Sequence, residues 1–208
     1  MTGNVNDILA EAFNRHQAGE FAEAERMYRQ VLEADPVNPD ALHLLGVLGL
    51  QAGRPETALN LIGMAVERQP GNSQFLNNLG EAYRALDKNE DAADCYARAI
   101  ESNPDDPAPH NNLGLALVAL GKPADAQASF ERCLEMAPGE PETLSNLGEA
   151  LIRQGKAADA DTCFKRALET APGDPGLLFN YGNVLRKAGD FSGAVTCFRQ
   201  ALEAVPGD

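Results

Sequence analysis

The sequence predicts an all-α solenoid, and three observations predict it. Glycines stand at 46, 80, 114, 148 and 182, always 34 residues apart, and each closes a near-copy of one stretch. The copies run Leu42-His43-Leu44-Leu45-Gly46, Phe75-Leu76-Asn77-Asn78-Leu79-Gly80, His110-Asn111-Asn112-Leu113-Gly114, Leu144-Ser145-Asn146-Leu147-Gly148 and Phe179-Asn180-Tyr181-Gly182. A fixed period of this size marks a repeat array. Apolar residues recur at gaps of three and four, as in Phe21, Ala24, Met27, Tyr28, Val31 and Leu32, which is the helical period. No strand-like alternation competes with it. Finally, turn-forming residues fall at the same two places in every period.

Six repeats fit this register: 5–38, 39–72, 73–106, 107–140, 141–174 and 175–208, a single array over 5–208. Each reads as two amphipathic helices, so about twelve helices are expected. The first repeat carries Ala12 where the others carry glycine, but keeps the rest of the pattern. Midway through each repeat comes Gly19, Gly53, Asp87, Gly121, Gly155 or Gly189, suited to the left-handed position after a helix. Pro55 and Pro123 follow at the first turn of a second helix, where no N–H is needed. Pro36, Pro70, Pro104, Pro138, Pro172 and Pro206 close the repeats, because proline cannot continue a helix. Pro39, Pro107, Pro141 and Pro175 open the next ones. Connections this short make neighbouring helices antiparallel.

The pattern resembles the tetratricopeptide repeat. The third repeat places Leu79, Gly80, Ala92, Tyr96, Ala99 and Pro104 in that family's slots. The fifth has Leu147, Gly148, Ala160, Phe164, Ala167 and Pro172, and the sixth Tyr181, Gly182, Ala194, Phe198, Ala201 and Pro206. The resemblance implies a right-handed superhelix with the first helices lining its concave side. Departures are local. The tryptophan slot holds Ile8, Leu42, Leu76, His110, Leu144 and Leu178, and Ile62 replaces an aromatic. Arg15 and Gly49 in the tyrosine slot predict looser packing in the first two repeats. One helix pair cannot bury its apolar face alone, so each repeat leans on the next.

Composition excludes several functions. Of 208 residues 44% are hydrophobic, enough for a sizeable core. A net charge of −14 repels phosphates and anionic lipid, so no nucleic-acid partner is expected. No segment has the apolar length of a membrane span or a signal peptide, so no membrane insertion is expected and the cytoplasm is the expected location. Cys95, Cys163 and Cys197 share one slot and Cys133 stands alone. They read as small core hydrophobes in a reducing compartment. Neither metal nor cofactor is expected, since His16, His43 and His110 lie far from any cysteine cluster. No nucleophile elbow, phosphate loop or dinucleotide fingerprint occurs, so no catalytic residues are assigned.

The candidate site is a groove. Asn78, Asn112, Asn146 and Asn180 occupy one slot in four successive repeats. Asparagine is a mediocre residue inside a helix, and this slot lies past the cap. Stacked repeats would align these amides, each both donor and acceptor, along the main chain of an extended peptide. The arrangement is similar to the asparagine ladder of the tetratricopeptide superhelix in protein O-GlcNAc transferases. The competing reading is that the amide bonds a neighbouring helix. Asn77 and Asn111 lie beside the ladder. Arg84, Arg153, Arg186 and Lys187 face the same side and offset Glu81, Glu142 and Glu149, while the first two repeats are apolar there through Phe13, Leu44 and Val47. The groove thus suits a peptide with apolar residues at one end and acidic ones at the other. The charged clamp by which some chaperone-binding members hold a C-terminal carboxylate is not matched.

The last helix is apolar on several sides, through Phe191, Val195, Phe198, Leu202 and Val205, which predicts either that the chain is cut from a longer protein or that this end packs on another copy of the chain. The expected function is a non-catalytic scaffold for a protein or extended peptide. Two other roles stand beside it. The stretch from His16 to Pro36 resembles the N-terminal arrays of bacterial glycosyltransferase-like proteins, which implies a substrate-binding arm of a larger enzyme. A self-assembling structural protein is the second.

Overall fold

The computed structural model describes residues 5–204, and these form twelve α-helices with no strand among the described residues. They fall into two compact units that divide between Pro104 and Asp105. The first unit holds α1 (Val5–Gln17), α2 (Phe21–Ala34), α3 (Pro39–Gln51), α4 (Pro55–Arg68), α5 (Ser73–Arg84) and α6 (Asn89–Ser102). The second holds α7 (Pro107–Ala119), α8 (Pro123–Met136), α9 (Pro141–Arg153), α10 (Ala157–Thr170), α11 (Pro175–Ala188) and α12 (Phe191–Ala204). Each 34-residue window therefore contains one helix pair.

The helix boundaries are where the local chemistry sets them. Proline is the first residue of α3, α4, α7, α8, α9 and α11. Four first helices also carry a side-chain cap that pattern reading overlooks. Asn38 accepts from the Ala41 N–H at 3.0 Å, Asn72 from Phe75 at 3.2 Å, Asp106 from Ala108 at 3.0 Å and Asp174 from Leu177 at 2.8 Å. Each satisfies one N–H that the first turn leaves open. Glu140 makes no such bond before α9. Between the helices of a pair the chain enters the left-handed region, at Gly121 with φ +72° and, in the third repeat, at Asp87 with φ 57°.

Within each pair the small residue of the first helix receives the large residue of the second. A Cβ added at Gly80 would lie 2.5 Å from the Tyr96 ring, and one at Gly148 2.5 Å from Phe164. Gly114 meets Phe130 in the same way. Tyr28, Tyr96, Phe130 and Phe164 are fully buried as a result. In the first unit the largest core joins Leu42, Ile62 and Val66 to Phe75, Leu76 and Leu79 across the α4–α5 junction. In the second, Phe130, Leu147, Leu151 and Cys163 form the main core. All four cysteines are buried and unpaired, and burial pushes the Cys95 thiol up to about 11.

The expectation of looser packing at Arg15 and Gly49 is half corrected. Arg15 is exposed and pairs with Glu11 and Glu20, both at 2.7 Å, so no side chain packs inward there. Gly49 is buried, and a Cβ placed on it would touch Ala58 at 3.5 Å. The second repeat compensates by bringing the two helix backbones together.

First helices of successive repeats approach one another, α3 with α5 and, in the second unit, α7 with α9 and α9 with α11. No pair of second helices approaches as closely among the described residues. In each unit the first helices therefore form the inner side. No described helix is long and apolar enough to cross a membrane.

Candidate functional site

The asparagine slot lies on this inner side, and its amides differ in what they touch. In the first unit the Asn78 Nδ2 donates to His43 Nε2 at 2.8 Å, and its Oδ1 accepts from Asn77 Nδ2 at 3.2 Å. His43 is buried and stacked on Phe75 with ring centroids 4.4 Å apart. Burial lowers its pKa to about 4, so it is a neutral acceptor near neutral pH. Asn77 is itself buried.

In the second unit Asn146 Nδ2 donates to Asn111 Oδ1 at 3.1 Å, an oxygen that also accepts from Thr143 at 3.3 Å. His43 to Asn78 and Asn111 to Asn146 are the same step, 35 residues, taken in two places. The same step from Asn180 leads back to Ser145, whose side chain is shorter, and no hydrogen bond forms there among the described residues. Asn112 is half-buried and has contacts of its own. Helix–helix bonding thus accounts for Asn78 and Asn146, while Asn180 stays open.

Asn180 borders two clefts. One, of about 520 Å³, lies between α9 and α11 and is lined by Glu149, Arg153, Asn180, Asn183, Arg186 and Lys187. The other, of about 490 Å³, lies toward the helix N-termini and is lined by Glu140, Glu142, Asn146, Asp174 and Asn180. The sequence-derived cations Arg153, Arg186 and Lys187 are therefore brought together, with the acids at the far end of the same helices. Arg84 belongs to the first unit, exposed in the last turn of α5. The first unit has its own cleft of about 430 Å³, lined by Leu9, Phe13, His43, Leu44 and Phe75, where Phe13 is 43% exposed.

The reading that the amide bonds a neighbouring helix holds for Asn78 and Asn146, but sequence reasoning did not name the residue that accepts. The hint was available in the residues one position before the asparagine slot, which read His43, Asn77, Asn111 and Ser145. His43 and Asn111 accept from the next asparagine in this way, whereas the Ser145 side chain is shorter.

On α12, Phe191, Val195 and Leu202 are exposed, at 68%, 54% and 76%. Phe198 is only half-exposed, because its ring lies over Gly182 and beside Phe179. Val205 lies outside the described residues. Among the described residues no cluster of His, Cys, Asp and Glu could hold a metal ion.

The family model of the cilia and flagella-associated protein 70 C-terminal domain matches residues 2–208. A comparison with curated proteins finds no match. Among solved structures, the chain is similar to PilW, a type IV pilus biogenesis factor, with 18% identity over 98% of this chain and 94% of that one and a TM-score of 0.89. It is similar to PilF of Pseudomonas aeruginosa, with 21% identity, 98% and 93% coverage and a TM-score of 0.82. A thermophilic tetratricopeptide-repeat protein of Thermus thermophilus shares 27% identity over 88% of this chain and 99% of that one, with a TM-score of 0.71.

Proposed function

For this chain, which belongs to the tetratricopeptide-repeat family of the cilia and flagella-associated protein 70 C-terminal domain, we propose a role as a protein-interaction scaffold that binds an extended segment of a partner on the inner, first-helix face. The observation that carries the reading is the open Asn180 amide between two clefts of about 520 and 490 Å³. A main-chain amide of a ligand offers the N–H and C=O that an asparagine amide complements. Clefts of this size that are formed before a ligand arrives lower the ordering cost of binding. The face presents amides and charges, the groups that bind a main chain and its side chains.

A random-peptide display selection on the immobilised chain tests this. Enriched peptides should lose binding to an Asn146→Ala/Asn180→Ala variant and keep it to Lys165→Ala, a change on the second helix α10. Absence of any enriched peptide, or equal binding to both variants, would sink the reading.

A second reading is favoured by the exposed apolar residues of α12. Of these, Leu202 lines an apolar cleft of about 320 Å³ with Phe198, Ala201, Pro175 and Phe179, the last 55% exposed, and this cleft suits the helix of another copy. Sedimentation of the wild type and of Leu202→Glu, both monomeric at all concentrations, would remove it.

A further inference from the structure

We propose that the cleft between the C-terminal halves of α9 and α11 docks an acidic segment of a protein partner, with its Asp or Glu side chains against Arg153, Arg186 and Lys187. This rests on the reading that the first-helix face is the binding face, and it assigns the chemistry of the partner there.

The charge balance is the first argument. The chain carries −14 overall, yet three cations and a single carboxylate, Glu149, line this cleft. All three cations are exposed, and among the described residues none has a carboxylate within ion-pair distance. Elsewhere among the described residues Arg15, Arg26, Arg29, Arg54, Arg132 and Lys165 are paired with carboxylates, and eight further cations are not, so the convergence of three on one cleft, rather than the lack of pairing, sets this site apart. Cations in a last helical turn also complement the helix dipole, which is the structural reason for placing one there. Each helix end amounts to about half a negative charge. Three positive charges against Glu149 and two such ends still leave roughly one positive charge facing the cleft.

The second argument is donor geometry. Asn180 and Asn183 line the same cleft, so neutral amide donors sit among the cationic ones. Carboxylates accept from both kinds.

The third is polarity along the face. Glu140, Glu142 and Asp174 line the adjoining cleft. From Glu142 to Arg153 along α9 is roughly 16 Å, the reach of about five extended residues. A long polyanion such as a nucleic acid would carry phosphates onto those acids. A short acidic stretch avoids them, and a basic residue about five positions away would gain from them. The ligand that fits is therefore a protein segment with its acids grouped, not a continuous run of phosphates.

The test uses fluorescence polarisation with the full chain. The probes are a fluorescein-labelled triglutamate peptide, its triglutamine analogue and a labelled oligothymidylate. Triglutamate should bind at least about tenfold tighter than triglutamine, and less tightly as salt is raised. Arg153→Glu/Arg186→Glu/Lys187→Glu should abolish the preference, and Lys165→Glu/Arg166→Glu on α10 should leave it intact. Thermal melts of both variants establish that they are folded. Equal binding of the two peptides, persistence of the preference in the cleft variant, its loss in the α10 variant, or tighter binding of the oligothymidylate would each overturn the proposal. If triglutamate fails while display-selected peptides still depend on Asn146 and Asn180, only this inference falls. If those peptides do not depend on the first helices, the scaffold reading falls with it.

Discussion

Asn78 Nδ2 donates to the Nε2 of His43 at 2.8 Å, joining the first helices of the second and third repeats. The bond requires a neutral imidazole with its lone pair on Nε2. Protonation would place a donor against a donor in a buried site stacked on Phe75. Burial holds the His43 pKa at about 4 in the fold, against an ordinary 6.5 in the unfolded chain. Between those values the unfolded chain binds more protons, so stability is fully present above pH 6.5 and is lost as pH falls toward 4. At pH 5.5 the loss should be roughly 1–1.5 kcal/mol. Urea unfolding of the wild type and His43→Gln at pH 7.5 and 5.5 checks it. An identical pH dependence in both would show that His43 does not titrate in this window.

The Asn111–Asn146 bond predicts a separation of stability from binding. Asn146→Ala removes a donor from Asn111 Oδ1, which keeps Thr143 at 3.3 Å, so the change should lower stability by about 0.5–1.5 kcal/mol. Asn180→Ala breaks no bond among the described residues and should leave the melt within about 0.5 kcal/mol of wild type. If the first-helix face binds peptide as proposed, the order reverses for affinity, and Asn180→Ala should weaken selected peptides the more. Thermal unfolding and peptide titration of the two variants together decide this.

How far the sequence reaches is visible in these residues. The register of six helix pairs, the left-handed positions and the glycine–aromatic contacts are local or recur at a fixed period, so they can be read directly. The partner of each asparagine is not local. It depends on how far one first helix is displaced against the next, and thus on whether the residue opposite is His43, Asn111 or the shorter Ser145. Gly49 shows the same limit. Loss of a large side chain reads as a gap, but approach of the helix backbones against Ala58 closes it. The grouping of Arg153 with Arg186 and Lys187 was foreseeable from their shared face, whereas the pairing of other cations with nearby acids depends on rotamers.

The turn between α5 and α6 departs from its counterparts. Asp87 sits at φ 57°, where Gly121 occupies the corresponding turn of the next repeat at φ +72°. A side chain is disfavoured in this region, though Asp tolerates it better than most. Asp87→Gly should raise stability by up to about 1 kcal/mol, and Gly121→Ala should lower it by about 1–2 kcal/mol. Opposite shifts in the denaturation midpoint are the expected result, and a midpoint that falls in Asp87→Gly would refute the strain argument.

The contact between Gly114 and Phe130 gives the most direct test of the packing. The Phe130 ring is fully buried and occupies the space a Cβ on Gly114 would need. Gly114→Leu should therefore overpack the α7–α8 pair and cost about 1–3 kcal/mol, a fall of about 2–4 °C in Tm for each kcal/mol in a chain this long. A purely local helix effect would have the opposite sign, since Leu has the higher helix propensity by about 1 kcal/mol. The sign of the change thus separates packing from propensity. Shortening the ring by Phe130→Leu creates a cavity on its own, but should recover part of the loss when combined with Gly114→Leu. Additive losses in the double variant would show that the two residues do not share this space.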